Sequence, residues 1–124
     1  MKISLRKILK SFRHSFQGIQ ISNQEHNFRV MLISVLFVIL LGFVMKISYF
    51  EWLILFLIMN MVLSLETLNT ALEKILDYLE PNLSDKIRII KDLIAGSVAI
   101  TIFCSIIIGL LIFLPKIYVL CSLN

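Results

Sequence analysis

Three long apolar runs dominate the pattern of the chain, at residues 28–45, 49–65 and 93–114. A helix needs about 20 mostly apolar residues to cross the hydrocarbon core of a bilayer. The third run reaches that length, and the first two reach it with flanking residues whose polar ends extend to the interface. The pattern therefore predicts an all-α membrane protein with three transmembrane helices, in a single domain that covers residues 1–124.

The first 21 residues follow a helical period instead. Apolar side chains recur there every three or four residues, and the basic side chains mostly occupy the other faces. This pattern is typical of an amphipathic helix that lies on a membrane surface with its cations toward anionic head groups. We expect a surface helix over residues 1–21. Two roles stay open for it: a simple anchor, or one wall of a pocket at the cytoplasmic face.

Ser22 and Glu25 follow, just before the first apolar run, with the spacing of a capping box. On this pattern alone a purely structural role is favoured for Glu25, because it can satisfy the first N–H groups of the first span and face the positive end of the helix dipole.

The helical pattern of the second run continues past the membrane to about Glu80, where Pro81 ends it. Carboxylates recur on one face of this helix, within roughly 60° of each other at about 100° per residue. Like charges at such spacing repel. The face therefore either holds a cation or points into water, with ion pairs to Lys91 or Arg88 in the second case, and the pattern leaves both open. The residues are Glu66, Glu73, Asp77 and Glu80, with Asn69 and Thr70 on or near the same face.

Composition supports a membrane location. The chain has 124 residues, of which 59% are hydrophobic, whereas soluble domains average about 45–50%. Its net charge is +4, and most Lys and Arg residues flank the apolar runs at the N-terminus and between the second and third. Because basic residues stay in the cytoplasm, we expect the N-terminus inside and the C-terminus outside. The charges form no groove-sized patch, which argues against a nucleic-acid partner.

If the acidic face is a site, its residues are suited to acid–base and metal chemistry. Glu66 lies at the boundary between lipid and water, where a carboxylate can take a proton from a hydroxyl that arrives from the membrane. Glu73 lies further into the cytoplasm, where its oxygens suit Mg²⁺, and Lys91 or Arg88 can meet phosphate oxygens. The chain has neither a P-loop nor the protein-kinase motifs. A transporter or channel subunit with Glu66 as an ion site and a non-catalytic assembly protein remain alternatives.

Several stretches together resemble the bacterial diacylglycerol kinase and undecaprenol kinase family. The resemblance implies a multi-pass lipid kinase of the bacterial plasma membrane. Such an enzyme transfers the γ-phosphoryl group of ATP to a lipid hydroxyl with Mg²⁺, and it forms a homotrimer whose active sites are shared between subunits. The stretches are Glu66-Thr67-Leu68-Asn69-Thr70-Ala71-Leu72-Glu73 with Asp77, Lys91-Asp92 with Ala95-Gly96, Ser15-Phe16 with Gly18, and Glu25 with Asn27-Phe28-Arg29.

The resemblance also implies a role for each matching residue. Glu66 would be the general base and contact the lipid hydroxyl, with Asn69 as its polar neighbour in catalysis. Glu25 and Glu73 would bind the metal that carries the nucleotide, which gives Glu25 a role beyond capping. Lys91 and Asp92 would contact ATP, His14 and Ser15 would approach it from the surface helix, and Arg29 would lie near the lipid head group.

The acceptor lipid is less constrained. The Glu51-Trp52 pair and residues 113–116 resemble the undecaprenol kinase branch, so undecaprenol is the favoured acceptor and diacylglycerol the alternative.

Overall fold

The computed structural model describes residues 4–82 and 84–122, and this part of the chain is almost entirely helical. The helices are α1 (Leu5–Ser22), α2 (His26–Val44), α3 (Tyr49–Leu79) and α4 (Asp85–Ser122). The last three are long and apolar enough to cross a membrane. The expectation of an all-α chain with three candidate spans is therefore confirmed.

The helix bounds follow the predicted pattern with small shifts. Helix α2 spans almost the whole of the first apolar run, and α3 continues 14 residues past position 65 to Leu79, as the pattern predicted. Its backbone leaves the helical region at Glu80, one residue before Pro81. Helix α1 occupies most of the predicted surface segment, whose residues 1–3 lie outside the described part of the chain.

Helix α3 is the centre of the fold. It packs against α2 on one side and α4 on another, and it also contacts α1. At one end of these helices a small buried cluster forms from Ile47, Leu55, Met59, Ile112 and Phe113. Most other large apolar side chains stay exposed on the outside of the helices. Such a surface fits lipid as the surrounding solvent, because apolar side chains gain nothing there by being buried.

Polar contacts hold the beginning of α3 next to the end of α4. Ser48 and Glu51 form a capping box, in which the Ser48 N–H donates to Glu51 Oε2 over 2.6 Å. Lys116 Nζ lies 3.0 Å from the same carboxylate oxygen. Both partners of this ion pair are only partly exposed. The pair therefore ties the two longest helices together at this end of the molecule.

The third apolar run lies in α4, and the prediction that this helix ends at residue 114 is wrong, because α4 passes through Pro115 and continues to Ser122. A proline inside a helix removes one backbone hydrogen bond and crowds the preceding turn. Packing on both sides compensates here. Ile112 and Phe113 belong to the buried cluster before the proline, and Lys116 pairs with Glu51 immediately after it.

The predicted capping box of Ser22 and Glu25 is also wrong. Glu25 does occupy the N-cap of α2, but its side chain makes no capping bond, and the Ser22 hydroxyl donates to the Gly18 carbonyl. The Glu25 carboxylate instead accepts a hydrogen bond from Lys74. A bond between two charged groups is stronger than one to a neutral N–H, which accounts for the difference.

Candidate active site

A groove of about 1020 Å³ runs between α2 and α4, with α3 as its floor. Ligand pockets usually have volumes of about 300–1,000 Å³, so this groove can hold a large apolar molecule. Small side chains of α4 keep it open, and bulky apolar side chains supply most of its remaining walls. The small residues are Ala95, Ala99, Ser105 and Gly109, and the apolar ones include Val30, Val38, Leu41, Ile58, Val62 and Phe113.

The two ends of the groove differ in polarity. One end is lined by Glu66, Asn69 and Glu73 of α3 together with His26 and Asn27 of α2. The other end is apolar and includes Leu41, Leu55 and Phe113. Leu55 and Glu66 are 11 positions apart on one helix, which corresponds to about 16 Å along its axis. The groove thus joins a long apolar channel to an acidic end.

Glu66 is the buried acid at that end, with only 3% of its surface exposed. The Asn27 side chain approaches its carboxylate, and the charges of Glu73 and Glu25 repel it. An acid held out of water beside like charges is unfavourable for folding unless a bound group compensates. Such groups next to membrane spans are typical of functional sites.

Asn69 is almost equally buried, at 6% exposure. Its Nδ2 donates to Glu73 Oε1 over 3.3 Å. Its Oδ1 is buried and accepts no hydrogen bond from the described residues. Buried polar atoms are nearly always paired, so this oxygen is a buried acceptor at the acidic end whose hydrogen bond the described residues do not supply.

Glu25 lies at the edge of this acidic end and is held by Lys74. Lys74 Nζ is 2.7 Å from Glu25 Oε1 and joins the start of α2 to α3. The hydrogen bond and the charge of Glu25 raise the pKa of Lys74, so this side chain is a cation throughout the physiological range. The pair places a positive charge beside the acids that surround Glu66.

The predicted nucleotide contacts on α4 lie outside the groove lining. Lys91 forms an ion pair with Asp77 of α3, as the alternative of a solvated face anticipated. Asp92 is exposed and pairs with no residue in the described ranges 4–82 and 84–122. Arg88 binds Asp85 of its own helix.

The three remaining predicted residues, His14, Ser15 and Arg29, do not line the groove either. His14 and Ser15 are exposed on α1, where the Ser15 hydroxyl donates to the Ser11 carbonyl. Arg29 donates to the backbone carbonyls of Asn23 and Gln24, each over 2.8 Å. Its guanidinium therefore braces the turn between α1 and α2.

Sequence reasoning missed the parts that Asn27 and Lys74 play in this arrangement. Asn27 lay inside a quoted stretch, between Glu25 and Arg29, without a role of its own. Lys74 directly follows Glu73, and a basic residue next to a run of acids was the available signal. Its pairing with Glu25 depends on how α2 packs on α3, which the pattern did not specify.

The residues of the acidic end suit a hard divalent cation. Among residues 4–82 and 84–122 no three His, Cys, Asp or Glu side chains come together as a complete metal cage. Mg²⁺ does not require one, because it usually keeps several waters and takes one or two carboxylates plus substrate phosphates. Glu25 and Glu73, whose charges both act on Glu66, are the two carboxylates that would take this part.

Three candidate spans with a buried acid at one end of an apolar groove are the arrangement expected of a helical membrane protein that binds an apolar molecule. Similarity to known proteins identifies the family. Residues 13–113 match the model of the prokaryotic diacylglycerol kinase family. The chain therefore belongs to this family of bacterial membrane lipid kinases, as the motifs predicted.

One relative is the undecaprenol kinase of Bacillus subtilis (strain 168). It is 39% identical over 113 residues, which cover 90% of this chain and 92% of the relative. No solved structure matches the chain.

Proposed function

We propose that this chain transfers the γ-phosphoryl group of ATP, with Mg²⁺, to the primary hydroxyl of a membrane lipid, with undecaprenol as the main acceptor. The observation that carries the proposal is the burial of Glu66 at the polar end of an apolar groove. A lipid alcohol whose tail occupies the groove presents its hydroxyl to this carboxylate. The undecaprenol kinase relative supports the choice of acceptor.

In this reaction Glu66 accepts the hydroxyl proton while the alcohol oxygen bonds to the γ-phosphorus and the bridging oxygen of the leaving ADP departs. Phosphoryl transfer asks mainly for positioning and charge stabilisation from the protein. Asn69 contributes to positioning, because it lines the groove beside Glu66 and Glu73 orients its amide. Asn69 thereby connects Glu66, the proposed base, to Glu73, the proposed metal ligand on the nucleotide side of the site.

Glu25 and Glu73 would hold Mg²⁺. The metal would supply positive charge for the phosphate oxygens as the transfer proceeds. Lys91 and Asp92 contact the nucleotide, and His14 and Ser15 approach it from α1. Arg29 lies near the lipid head group. For Lys91 to reach the nucleotide, its ion pair with Asp77 has to open.

The site lies at the cytoplasmic face, where ATP is available. The distribution of basic residues supports this orientation, with the N-terminus inside and the C-terminus outside. Helix α1 rests on the inner leaflet through its apolar side chains, which include Leu5, Leu9, Phe12 and Phe16 and are all exposed.

The functional unit is a homotrimer with active sites shared between subunits. Support comes from α3, where exposed apolar side chains recur every three or four residues in two stretches, at 50–61 and at 68–79, a spacing typical of self-associating helices. Beyond position 65 such a stripe would meet water, where exposed apolar patches mark interaction surfaces. The stripe consists of Phe50, Ile54, Leu57, Met61, Leu68, Leu72, Ile75 and Leu79.

Self-association is tested by the substitution Ile75→Glu, with Ile89→Glu on α4 as the matched control. Both isoleucines are exposed within one chain, so neither change disturbs the described core. We expect Ile75→Glu to lower the oligomer mass in detergent, measured by sedimentation, and Ile89→Glu to leave it unchanged. Equal masses for both variants and the unchanged protein would contradict an α3 interface.

The activity is tested by offering the purified protein labelled ATP with undecaprenol or diacylglycerol in parallel. We expect phosphate transfer mainly to undecaprenol. Glu66→Gln should lower the rate by about 10²–10⁴-fold, the usual contribution of a general base. Glu80→Gln is the control, because it makes the same change at an exposed position on the same chain.

Each competing function predicts a different result. Substantial transfer by Glu66→Gln would remove Glu66 from catalysis, and preferred transfer to diacylglycerol would change the acceptor. Ion flux without ATP consumption would favour a transporter, and full cellular function of Glu66→Gln would favour an assembly protein.

A further inference from the structure

We propose that Lys74 is a nucleotide-binding residue that changes partners: it pairs with Glu25 in the free protein and with the phosphate oxygens once metal and nucleotide bind. The inference rests on the proposed function, because it takes Glu25 and Glu73 as the residues that face the metal. It adds a cation to the site at a position for which neither the motifs nor the comparisons suggest a role.

The first observation is the contact itself. Lys74 Nζ lies 2.7 Å from Glu25 Oε1, across 49 positions of sequence and between two helices. Its neighbours Glu73 and Asp77 on α3 add negative charge on the same side. The ammonium group therefore lies where acids from two elements converge, at the edge of the site.

The second observation is the charge around Glu66. Glu25 and Glu73 both repel its carboxylate, so three acids share one region and a cation is needed to offset them. Lys74 supplies one positive charge in the free protein. A divalent metal supplies two and attracts oxygen ligands strongly, so it competes with the ammonium group for Glu25.

The third observation is the exposure of the pair. The side chains of Lys74 and Glu25 are 55% and 41% exposed, and ion pairs in contact with water are weakly held. The pair therefore opens at little cost when a stronger ligand arrives. Arg29 holds the preceding turn by separate bonds, so α2 keeps its start without the Lys74 contact.

Once Glu25 turns to the metal, the Lys74 ammonium group needs another anion. The nucleotide brings several phosphate oxygens to the same place. A lysine suits this exchange because its charge is compact, its stem is flexible and it carries three donors. No covalent bond changes in this step, since Lys74 only exchanges one anionic partner for another.

A purely structural contact between α2 and α3 would act differently. Such a contact would hold Glu25 in position, so that loss of the contact would weaken the binding of both metal and nucleotide. The exchange instead predicts opposite effects on the two ligands, because Lys74 competes with the metal and assists the nucleotide.

The test uses the purified full-length protein in lipid nanodiscs. Mn²⁺ binding without nucleotide is followed by electron paramagnetic resonance, and binding of a non-hydrolysable ATP analogue with Mg²⁺ is followed by calorimetry. For Lys74→Met we expect Mn²⁺ binding about two- to fivefold tighter, the scale of a lost exposed ion pair. We expect analogue binding about tenfold weaker, the scale of a lost charged hydrogen bond.

Two controls accompany this variant. Lys74→Arg keeps the charge and should bind the analogue within about threefold of the unchanged protein, because a cation still faces the phosphates. Lys86→Met removes one positive charge from a lysine without an ion pair in the described ranges and should change neither affinity.

A double substitution isolates the competition. In a Glu25→Gln background, Lys74→Met should no longer tighten Mn²⁺ binding, because the carboxylate for which the two cations compete is gone. If Lys74→Met does not assemble in nanodiscs, Lys74→Gln replaces it in the same comparisons.

Weaker Mn²⁺ binding by Lys74→Met, or unchanged analogue binding, would overturn the exchange. Failure of the proposed function would show separately, because the protein without substitutions would then phosphorylate neither lipid. The Mn²⁺ comparison would still decide whether Lys74 competes for Glu25.

Discussion

Gly42 of α2 marks a position where one methyl group should destabilise the protein. A Cβ atom added there would lie 2.8 Å from Trp52 Cη2 and 3.0 Å from Ile47 Cδ1. Neither neighbour can easily move. The Trp52 ring packs against Phe43 and Phe56, with ring centroids 4.9 and 5.4 Å away, and Ile47 belongs to the buried cluster. We therefore expect Gly42→Ala to force a shift of packed groups.

The magnitude follows from two opposing effects. Adding a methyl group to a filled core usually costs about 1–3 kcal/mol. Replacing glycine by alanine inside a helix returns about 0.5–1 kcal/mol. The net expectation is a loss of about 1–2 kcal/mol in the free energy of unfolding, which lowers the ratio of folded to unfolded protein roughly 5- to 30-fold.

The measurement is reversible unfolding in mixed micelles with increasing denaturing detergent, followed by circular dichroism. Gly109→Ala is the matched control, because a Cβ there would meet no atom within 4 Å, and it should be neutral or stabilising. In a Trp52→Leu background Gly42→Ala should lose most of its cost. If Gly42→Ala and Gly109→Ala were equally stable, the close approach of α2 to Trp52 would be refuted.

Two further predictions concern the groove and the turn before α2. Ser105→Phe should fill the groove, which Ser105 lines, and raise the KM for the lipid without changing nucleotide affinity. Ile100→Phe, on the exposed side of α4, is the control and should leave the lipid KM unchanged. An unchanged lipid KM for Ser105→Phe would show that the lipid tail does not bind in this groove. Arg29→Lys keeps the charge but not both bonds to the turn carbonyls. The free energy of unfolding, measured by thermal unfolding, should therefore fall by about 1 kcal/mol. A raised lipid KM without that loss of stability would instead favour a direct contact between Arg29 and the lipid head group.

The sequence allowed the main elements to be predicted because lipid imposes a simple rule on them. Long apolar runs and a helical period predicted all four helices. The predicted acidic face was right only in part, because Glu66, Glu73 and Asp77 lie on α3 whereas Glu80 follows the end of the helix in extended backbone. The continuation of α3 to Leu79 was also predictable, since its apolar stripe and acidic face keep the same period beyond the membrane.

The failures occurred where tertiary contacts outweigh local signals. Pro115 is a local stop signal, yet packing of Phe113 and pairing of Lys116 on either side keep α4 helical. Ser22 and Glu25 have the spacing of a capping box, yet Lys74, distant in sequence, binds the carboxylate. The groove itself was not predictable, because it depends on how α2 and α4 are spaced across α3.

The groove is open along the side between α2 and α4, and this has a consequence for how long substrates are handled. If the acceptor is a polyprenol, as proposed, it does not have to be drawn out of the bilayer or enclosed from end to end. Its first units can slide in sideways from the surrounding leaflet while the rest of the chain remains among its neighbours. Discrimination between acceptors then depends on the part of the lipid that lies in the groove, and the length of the chain beyond it should matter little.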